Sequence, residues 1–221
     1  SYNAQNTELL DQENFKQAFT TAQNSTHYFI GSWGSGVVKH NKTTNAIQLY
    51  NAYNSTIRGW EADNPDYTVI SGLSADSKDQ VWLVSRYGSE PLYMYEPNQD
   101  TWLAHSKDNA VSTLDEYVDL FIDSNDYKWI SLQSSTGDGT GLLVLDTNDP
   151  MNTQDNRGVK LTTSAVNGNL PDNKVTAFLE DKNGEVWIGT ARGIARFLFP
   201  RFIVDSQRSS ERQSQWLLNE D

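Results

Sequence analysis

One ten-residue pattern occurs three times in this chain, and a fourth copy is degenerate. The clear copies are Asp76-Ser-Lys-Asp-Gln-Val-Trp82-Leu-Val-Ser, Asp123-Ser-Asn-Asp-Tyr-Lys-Trp129-Ile-Ser-Leu and Asp181-Lys-Asn-Gly-Glu-Val-Trp187-Ile-Gly-Thr. Each opens on an Asp, crosses a polar turn and places a Trp six positions later. Gln23-Asn-Ser-Thr-His-Tyr-Phe29-Ile-Gly-Ser keeps the layout with Gln for Asp and Phe for Trp. The anchors Phe29, Trp82, Trp129 and Trp187 stand 53, 47 and 58 residues apart. Self-similarity at such a period restricts a chain to architectures in which each repeat is one supersecondary unit that buries its apolar faces against its neighbours.

Each copy divides into four strand-like pieces. An apolar strand precedes the Asp: Val69 to Ala75, Tyr117 to Ile122, Val175 to Glu180. The Asp then opens a tight turn, where its carboxylate can accept from the backbone two residues on and a Gly such as Gly184 supplies positive φ. The Trp strand follows, then a Gly-containing bend and a third strand: Gly36 to His40, Leu92 to Tyr95, Gly141 to Leu145, Gly193 to Leu198. A fourth is visible at Ala46 to Tyr50, Thr101 to Ala104 and Val159 to Thr162. Four short antiparallel strands per repeat make a propeller blade. The expected fold is all-β: a β-propeller fragment of about four four-stranded antiparallel blades, at approximately 15–50, 66–104, 116–163 and 173–204, within a larger ring. Residues 1–14 show no pattern. After Pro200 comes one apolar strand candidate, Phe202-Ile-Val204. Residues 205–221 read as a polar insert or a connection to a missing blade, with Trp216-Leu-Leu218 as an outer strand, so the chain is expected to be cut from a longer protein.

Composition narrows the function. Seven Trp and ten Tyr in 221 residues argue for an aromatic-rich folded β protein. The formal net charge of −12 repels phosphate backbones, so nucleic acid is not an expected partner. With no cysteine there is neither a disulfide framework nor a thiol nucleophile. No apolar run approaches the roughly 18 residues of a membrane span. No signal peptide is visible at Ser1, so any such segment is expected to have been removed or to lie outside this sequence. Asn24-Ser-Thr, Asn41-Lys-Thr and Asn54-Ser-Thr match the glycosylation acceptor pattern, a weak signal in an Asn-rich chain.

The last copy along the chain, Leu170-Pro-Asp-Asn-Lys-Val-Thr-Ala-Phe-Leu-Glu-Asp-Lys-Asn-Gly-Glu-Val-Trp-Ile-Gly-Thr-Ala-Arg-Gly-Ile-Ala-Arg-Phe197, resembles the two-component-regulator-propeller repeat. The resemblance extends over roughly residues 15–200. It implies a seven-bladed ring and, for one branch of the family, periplasmic sensing of polysaccharide fragments by hybrid histidine kinases. A narrower resemblance involves Gly193-Ile-Ala-Arg-Phe-Leu-Phe-Pro200 and the polar excursion with Gln207-Arg and Gln213-Ser-Gln-Trp216. It is similar to PorZ-type cell-surface propellers of the Bacteroidetes type IX secretion system, whose blades carry such inserts. That resemblance implies anchoring of secreted cargo and recognition of anionic lipopolysaccharide, at the periplasm or cell surface of a Gram-negative bacterium. The remaining blades of the same protein and the protein partners of a secretion or signalling complex are the other partners it implies.

Chemistry-bearing residues are sparse. Asp76, Asp123 and Asp181 belong to different blades and already have turn roles, so they are not expected to ligate a metal. The Trp anchors sit where blades pack on one another and are expected in the core. His27, His40 and His105 show no metal-ligand spacing and no nearby nucleophile motif. Carboxylate pairs such as Glu116 with Asp119 or Glu180 with Asp181 are no better than chance as a glycosidase pair. Gly137-Asp-Gly-Thr-Gly141 joins two strands and is expected as a hairpin turn, not a phosphate cradle. No catalytic residue, metal or cofactor is expected.

One constellation remains. The loop between second and third strands lies on a propeller's upper face near the axis. Anchor alignment places Trp33-Gly34, Arg86-Tyr87, Gln133-Ser134 and Ala191-Arg192 there. Trp33, Arg86, Tyr87, Gln133 and Arg192 are the candidate ligand-binding set, because aromatic faces stack on sugar C–H surfaces and Arg forks onto carboxylate or phosphate. Lys39 and Lys42, near the opposite end, are expected to be uninvolved surface cations. The expected function is a non-catalytic envelope binding module. The alternatives are a sensor ectodomain and, third, a propeller lyase or glycosidase. The charge of −12 requires local Arg clusters or bridging cations for any anionic ligand.

Overall fold

The computed structural model describes residues 15, 17–60, 67–87, 90–205 and 214–217. The patternless start of the chain, the polar run at 206–213 and Leu218 lie outside them. The chain divides into two compact units, Ser1–Ser106 and Lys107–Asp221.

The first unit contains β1 (Ala18–Gln23), β2 (His27–Gly34), β3 (Val37–Asn41) and β4 (Ile47–Tyr50), paired antiparallel in that order. The next four, β5 (Thr68–Ala75), β6 (Val81–Ser85), β7 (Leu92–Glu96) and β8 (Thr101–His105), repeat the arrangement. A two-residue pairing of Trp33 with Val69 and Gly34 with Thr68 joins the two sheets. In the second unit β9 (Glu116–Ile122), β10 (Lys128–Gln133), β11 (Gly139–Asp146) and β12 (Arg157–Leu161) form the third sheet. The fourth is β13 (Val175–Glu180), β14 (Val186–Thr190), β15 (Gly193–Phe197) and β16 (Gln215–Leu217). These are four blades of propeller type, and among the described residues there is no α-helix.

Phe202-Ile-Val204, expected as a strand, is not one. Pro200–Phe202 forms a single 3-10 turn, closed by the Ile203 N–H on the Pro200 carbonyl at 3.0 Å. Pro200 suits the first position of such a turn because its φ is fixed and it has no N–H to satisfy. Ile203 and Val204 are buried in the core instead. The outer position of the fourth sheet is taken by β16, paired with Ile194–Arg196 of β15.

The Asp of each repeat does more than open its turn. One carboxylate oxygen accepts the backbone N–H groups two and four residues on: Lys78 and Gln80 at 3.0 and 2.9 Å, Asn125 and Tyr127 at 2.9 and 3.0 Å, Asn183 and Glu185 at 2.8 and 3.2 Å. The other accepts the indole N–H of the anchor at 2.9 Å from Trp82 and 3.0 Å from Trp129 and Trp187. The spacing of six is thus set by chemistry, since a buried indole N–H requires an acceptor. Asp79, Asp126 and Gly184, three residues after the Asp, hold the fourth turn position at φ 67°, 63° and 77°. Asp123 is buried, which pushes its pKa up despite the Trp129 bond. At Asp181 the Trp187 bond is the largest influence and holds the carboxyl below its usual range.

All four blades share an irregularity. The inner strand carries one extra residue at the same repeat position, opposite the end of the Trp strand: Phe19, Ser71, Val118 and Thr176. Such bulges increase local twist and re-aim side chains next to functional sites.

Sheet faces pack by a common rule. In the first unit Phe29, Val37 and Tyr50 of one sheet meet Leu83, Tyr93, Tyr95 and Trp102 of the next. In the second, Trp129, Leu142, Val144 and Leu161 meet Val186, Ile188, Ala195 and Phe197. The bend into the third strand requires glycine. At Gly141, with φ +122°, a Cβ would lie 2.4 Å from the Leu161 carbonyl oxygen. Gly141→Ala is expected to cost roughly 1–3 kcal/mol through strain and backbone displacement. A urea midpoint equal to that of the unsubstituted chain would refute this.

Candidate functional site

In the first unit the end of β2 and the bend after β6 converge because both engage β5. Trp33 pairs with Val69, and the Arg86 N–H donates to the Val69 carbonyl at 3.2 Å. Their side chains therefore emerge side by side. The Arg86 guanidinium carbon lies 5.2 Å from the Trp33 ring centroid and 5.3 Å from that of Tyr87. Three of the five sequence-predicted residues thus form one group.

Aromatic neighbours extend it on both sides. Tyr87 stacks on Trp60 with centroids 4.2 Å apart and planes 19° apart. The Trp60 ring meets Tyr67 at 5.6 Å, and the Trp60 backbone N–H donates to the Tyr67 carbonyl at 2.8 Å. On the other side the bulged residue Phe19 lies 5.2 Å from Trp33. Gly34, at φ +122°, leaves room for Tyr67, whose ring would be 2.8 Å from a Cβ there. Phe19 is 60% exposed and Trp60 47%, which is unusual for rings this size. The group offers flat apolar faces with a guanidinium among them.

Phe19, Trp60 and Tyr67 were not among the sequence candidates. Trp60 and Tyr67 flank a polar stretch that no strand pattern claims, and aromatic residues in such a loop are the available signal. Phe19 gives none, because its position depends on a bulge.

Gln133 and Arg192 are in the second unit. The Gln133 amide donates to Glu116 at 3.1 Å, and Arg192 pairs with Asp172 at 3.2 Å. Both are tied to carboxylates. The hairpin turn lies at 134–138, with the Gly137 N–H on the Ser134 carbonyl at 2.9 Å and the Ser134 N–H on the Asp138 carbonyl at 2.8 Å, and Gly139 to Gly141 already belong to β11. In the same unit Asp115, 3% exposed, accepts from Lys160 at 2.7 Å, Thr140 at 2.6 Å and the Ser112 N–H at 2.8 Å. Burial works to raise its pKa, but Lys160, Thr140 and Ser112 outweigh it and hold the carboxyl below its usual range.

Lys39 and Lys42 both bond within the first unit. The Lys39 ammonium donates to Tyr95 at 2.9 Å and to Asp100, which also accepts from Tyr50 and Tyr95. Burial acts to raise the Asp100 pKa, yet these donors hold it far below the ordinary range. Lys42 donates to Gln23 at 3.0 Å and lies 4.6 Å from the Tyr28 ring. Both lysines lie on a strand or turn whose polar partners came within reach only through the fold. Histidine is also committed to local structure: His27 contacts Thr26 at 2.8 Å and Asn41 at 3.2 Å, and burial, then Lys39, lowers its pKa.

Residues 169–192 match the family model described as two component regulator propeller. That match takes in one repeat of the chain. The regulator-propeller match covers the Asp181–Trp187 unit of the fourth sheet, where the sequence pattern is clearest. No curated protein sequence matches the chain. Among solved structures it is similar to PorZ, an essential surface component of the type IX secretion system of Porphyromonas gingivalis. The identity is 21% and the TM-score 0.72, over 90% of this chain and 27% of that one. It is also similar to the extracellular domain of a putative hybrid two-component system of Bacteroides thetaiotaomicron, at 18% identity and TM-score 0.56, over 83% of this chain and 22% of that one. A gluconolactonase of Xanthomonas campestris gives 12% and 0.52, over 90% and 60%. The chain thus spans about a quarter of the first two. These likenesses show the propeller fold. No helix among the described residues is long and apolar enough to cross a membrane.

Proposed function

We propose that this chain is a non-catalytic binding module of a cell-envelope protein, PorZ-like, that supports type IX secretion or surface attachment through glycan or protein recognition. The observation that carries the reading is Arg86 set beside the rings of Trp33 and Tyr87, with Trp60 stacked on Tyr87. Stacked rings present apolar faces to sugar C–H groups, and a guanidinium adjacent to them recognises carboxylate or phosphate substituents. The likeness to a surface component of P. gingivalis supports placing the module in the periplasm or on the surface of a Gram-negative bacterium. The likeness to a Bacteroides extracellular domain favours a second reading, the oligosaccharide-sensing ectodomain of a hybrid kinase. Gln133 and Arg192 belong to the same proposed set through repeat equivalence.

The test is binding of purified anionic lipopolysaccharide and of its neutral core by calorimetry. Arg86→Ala is expected to weaken anionic binding about tenfold, equivalent to about 1.4 kcal/mol, and to leave neutral binding nearly unchanged. Trp60→Ala should weaken both. Lys78→Ala, exposed in the turn at the other end of the second sheet, is the control. Equal losses from Lys78→Ala and Arg86→Ala would reduce the effect to general electrostatics and remove the site assignment. Release of new reducing ends or unsaturated products would establish the enzyme reading instead.

A further inference from the structure

The third position of the repeat's turn is Asn in the third and fourth sheets: Asn125 in Asp123-Ser-Asn and Asn183 in Asp181-Lys-Asn. In the first two sheets it is Ser25 and Lys78. Asn favours turns because its own side chain can bond the backbone two residues on. Here the Asp takes that role. The Asn125 N–H donates to Asp123 at 2.9 Å, and the Asn183 N–H to Asp181 at 2.8 Å. Both Asn side chains are exposed. The Asn125 amide lends Asp123 one further donor and keeps its carbonyl oxygen and second N–H. The Asn183 amide has no hydrogen-bond partner among the described residues.

The two turns adjoin. The Ser124 N–H donates to Glu180 at 2.8 Å, and its hydroxyl donates to the other oxygen of that carboxylate. Glu180 borders the fourth-sheet turn, since a Cβ on Gly184 would lie 3.7 Å from its carboxylate. The segment after β15 closes the third side. There the Tyr127 hydroxyl donates to the Arg201 carbonyl at 3.1 Å and holds the 3-10 turn to the third sheet. Turns and segment enclose a cleft of about 350 Å³, whose lining includes Asn125, Asn183, Leu198, Phe199 and Arg201. Phe199 is 52% exposed and lies 6.4 Å from Phe202. The Arg201 guanidinium carbon sits 4.6 Å from the Phe202 ring centroid. Among the described residues no carboxylate pairs with Arg201, and Glu180 has both oxygens on Ser124.

We infer that this cleft binds an acidic sugar residue, a hexuronate, with Arg201 on its carboxylate. Small-molecule sites begin at roughly 300 Å³, so the space suits one or two sugar rings. Sugar hydroxyls both donate and accept, and the Asn125 and Asn183 amides offer both. The C–H face of a pyranose is apolar and suits the exposed Phe199 ring. A carboxylate matches the planar fork of a guanidinium, and the Phe202 ring orients Arg201 without neutralising it. A peptide carboxylate shares the Arg201 contact and is the competing outcome of the test. The cleft belongs to the second unit and has no residue in common with the Arg86 group.

The probe is methyl β-D-glucuronide, titrated by ligand-observed NMR against the intact protein carrying Arg86→Ala. Saturable binding is expected. Removing the carboxylate, by using methyl β-D-glucoside, should weaken binding about tenfold, the effect of one hydrogen-bonded charge. Arg201→Gln should weaken the glucuronide by the same factor and leave the glucoside nearly unchanged. Asn183→Ala should weaken both sugars alike. Lys78→Ala, at the same turn position of the second sheet, should alter neither. Arg201 and Asn183 are exposed, so the melting temperature should hold in each variant. Absence of glucuronide binding, equal affinity for the two sugars, or undiminished binding by Arg201→Gln would overturn the inference. Tighter binding of N-acetyldiglycine than of the glucuronide would also overturn it and assign the cleft to a peptide terminus. Because the titrated protein lacks the Arg86 side chain, failure here leaves the proposed function standing, and the reverse holds.

Discussion

Trp129→Ala is expected to destabilise the second unit by about 3–5 kcal/mol, the range for large aromatic truncations in cores. The indole is fully buried, packs at 5.4 Å from Phe197 and joins the core made by Leu142, Val144, Val186 and Ile188. Its removal also strands the Asp123 oxygen that accepts the indole N–H. For a chain of this size the melting temperature should fall by about 10 °C. Trp129→Phe separates the two contributions. It keeps most of the ring but loses the donor, so about 1–2 kcal/mol should remain as the cost of the unpaired carboxylate oxygen. An unchanged midpoint for Trp129→Ala would mean that the anchor is not a core residue in solution.

The second large effect is expected from Lys160→Met. Asp115 is buried with Lys160, Thr140 and the Ser112 N–H as its donors. Removing the cation leaves an uncompensated carboxylate, at a cost of about 2–4 kcal/mol once the partial exposure of Lys160 is allowed for. The pH dependence should change sign. In the unsubstituted chain the Asp115 pKa is lowered, so its contribution is present above the unfolded value of about 3.9 and is lost as pH falls below it. Without Lys160, burial dominates and raises the pKa. The variant is then penalised as pH rises through that raised value, and its deficit should grow between about pH 4 and pH 7. Denaturant midpoints across that range decide the matter, and a deficit independent of pH would show that Lys160 acts by packing alone.

The repeat made the four sheets legible. Asp, turn and anchor fix one hairpin, and the alternation around it fixes which face each side chain takes. β13 runs from Val175 to Glu180 as the pattern reads. Pattern reasoning failed where the repeat carries no instruction. The 3-10 turn at Pro200 replaces a strand because two buried aliphatic residues, Ile203 and Val204, read alike in either geometry. The candidate site was half legible. Trp33, Arg86 and Tyr87 fall at aligned bend positions and meet because they share β5. Trp60 and Tyr67 come from the connection between two sheets, where alignment gives no register. The Lys39–Asp100 and Lys160–Asp115 pairs span 61 and 45 residues. Distances of that kind in sequence hide a salt bridge from any local reading.

The carboxylate-to-indole bond also bears on how the chain reaches its fold. The turn, its two backbone bonds and the anchor's donor all lie within seven consecutive residues, so closing them requires only a short loop. Each hairpin can therefore form before any sheet finds its neighbour, and the transition state is expected to be polarised toward these hairpins. The first sheet differs. Asn24 accepts from the Thr26 and His27 N–H groups at 3.1 and 2.8 Å, but Phe29 has no donor to give it. Its hairpin lacks the carboxylate-to-indole bond and should order last, on the surface that Leu83 and Tyr93 provide.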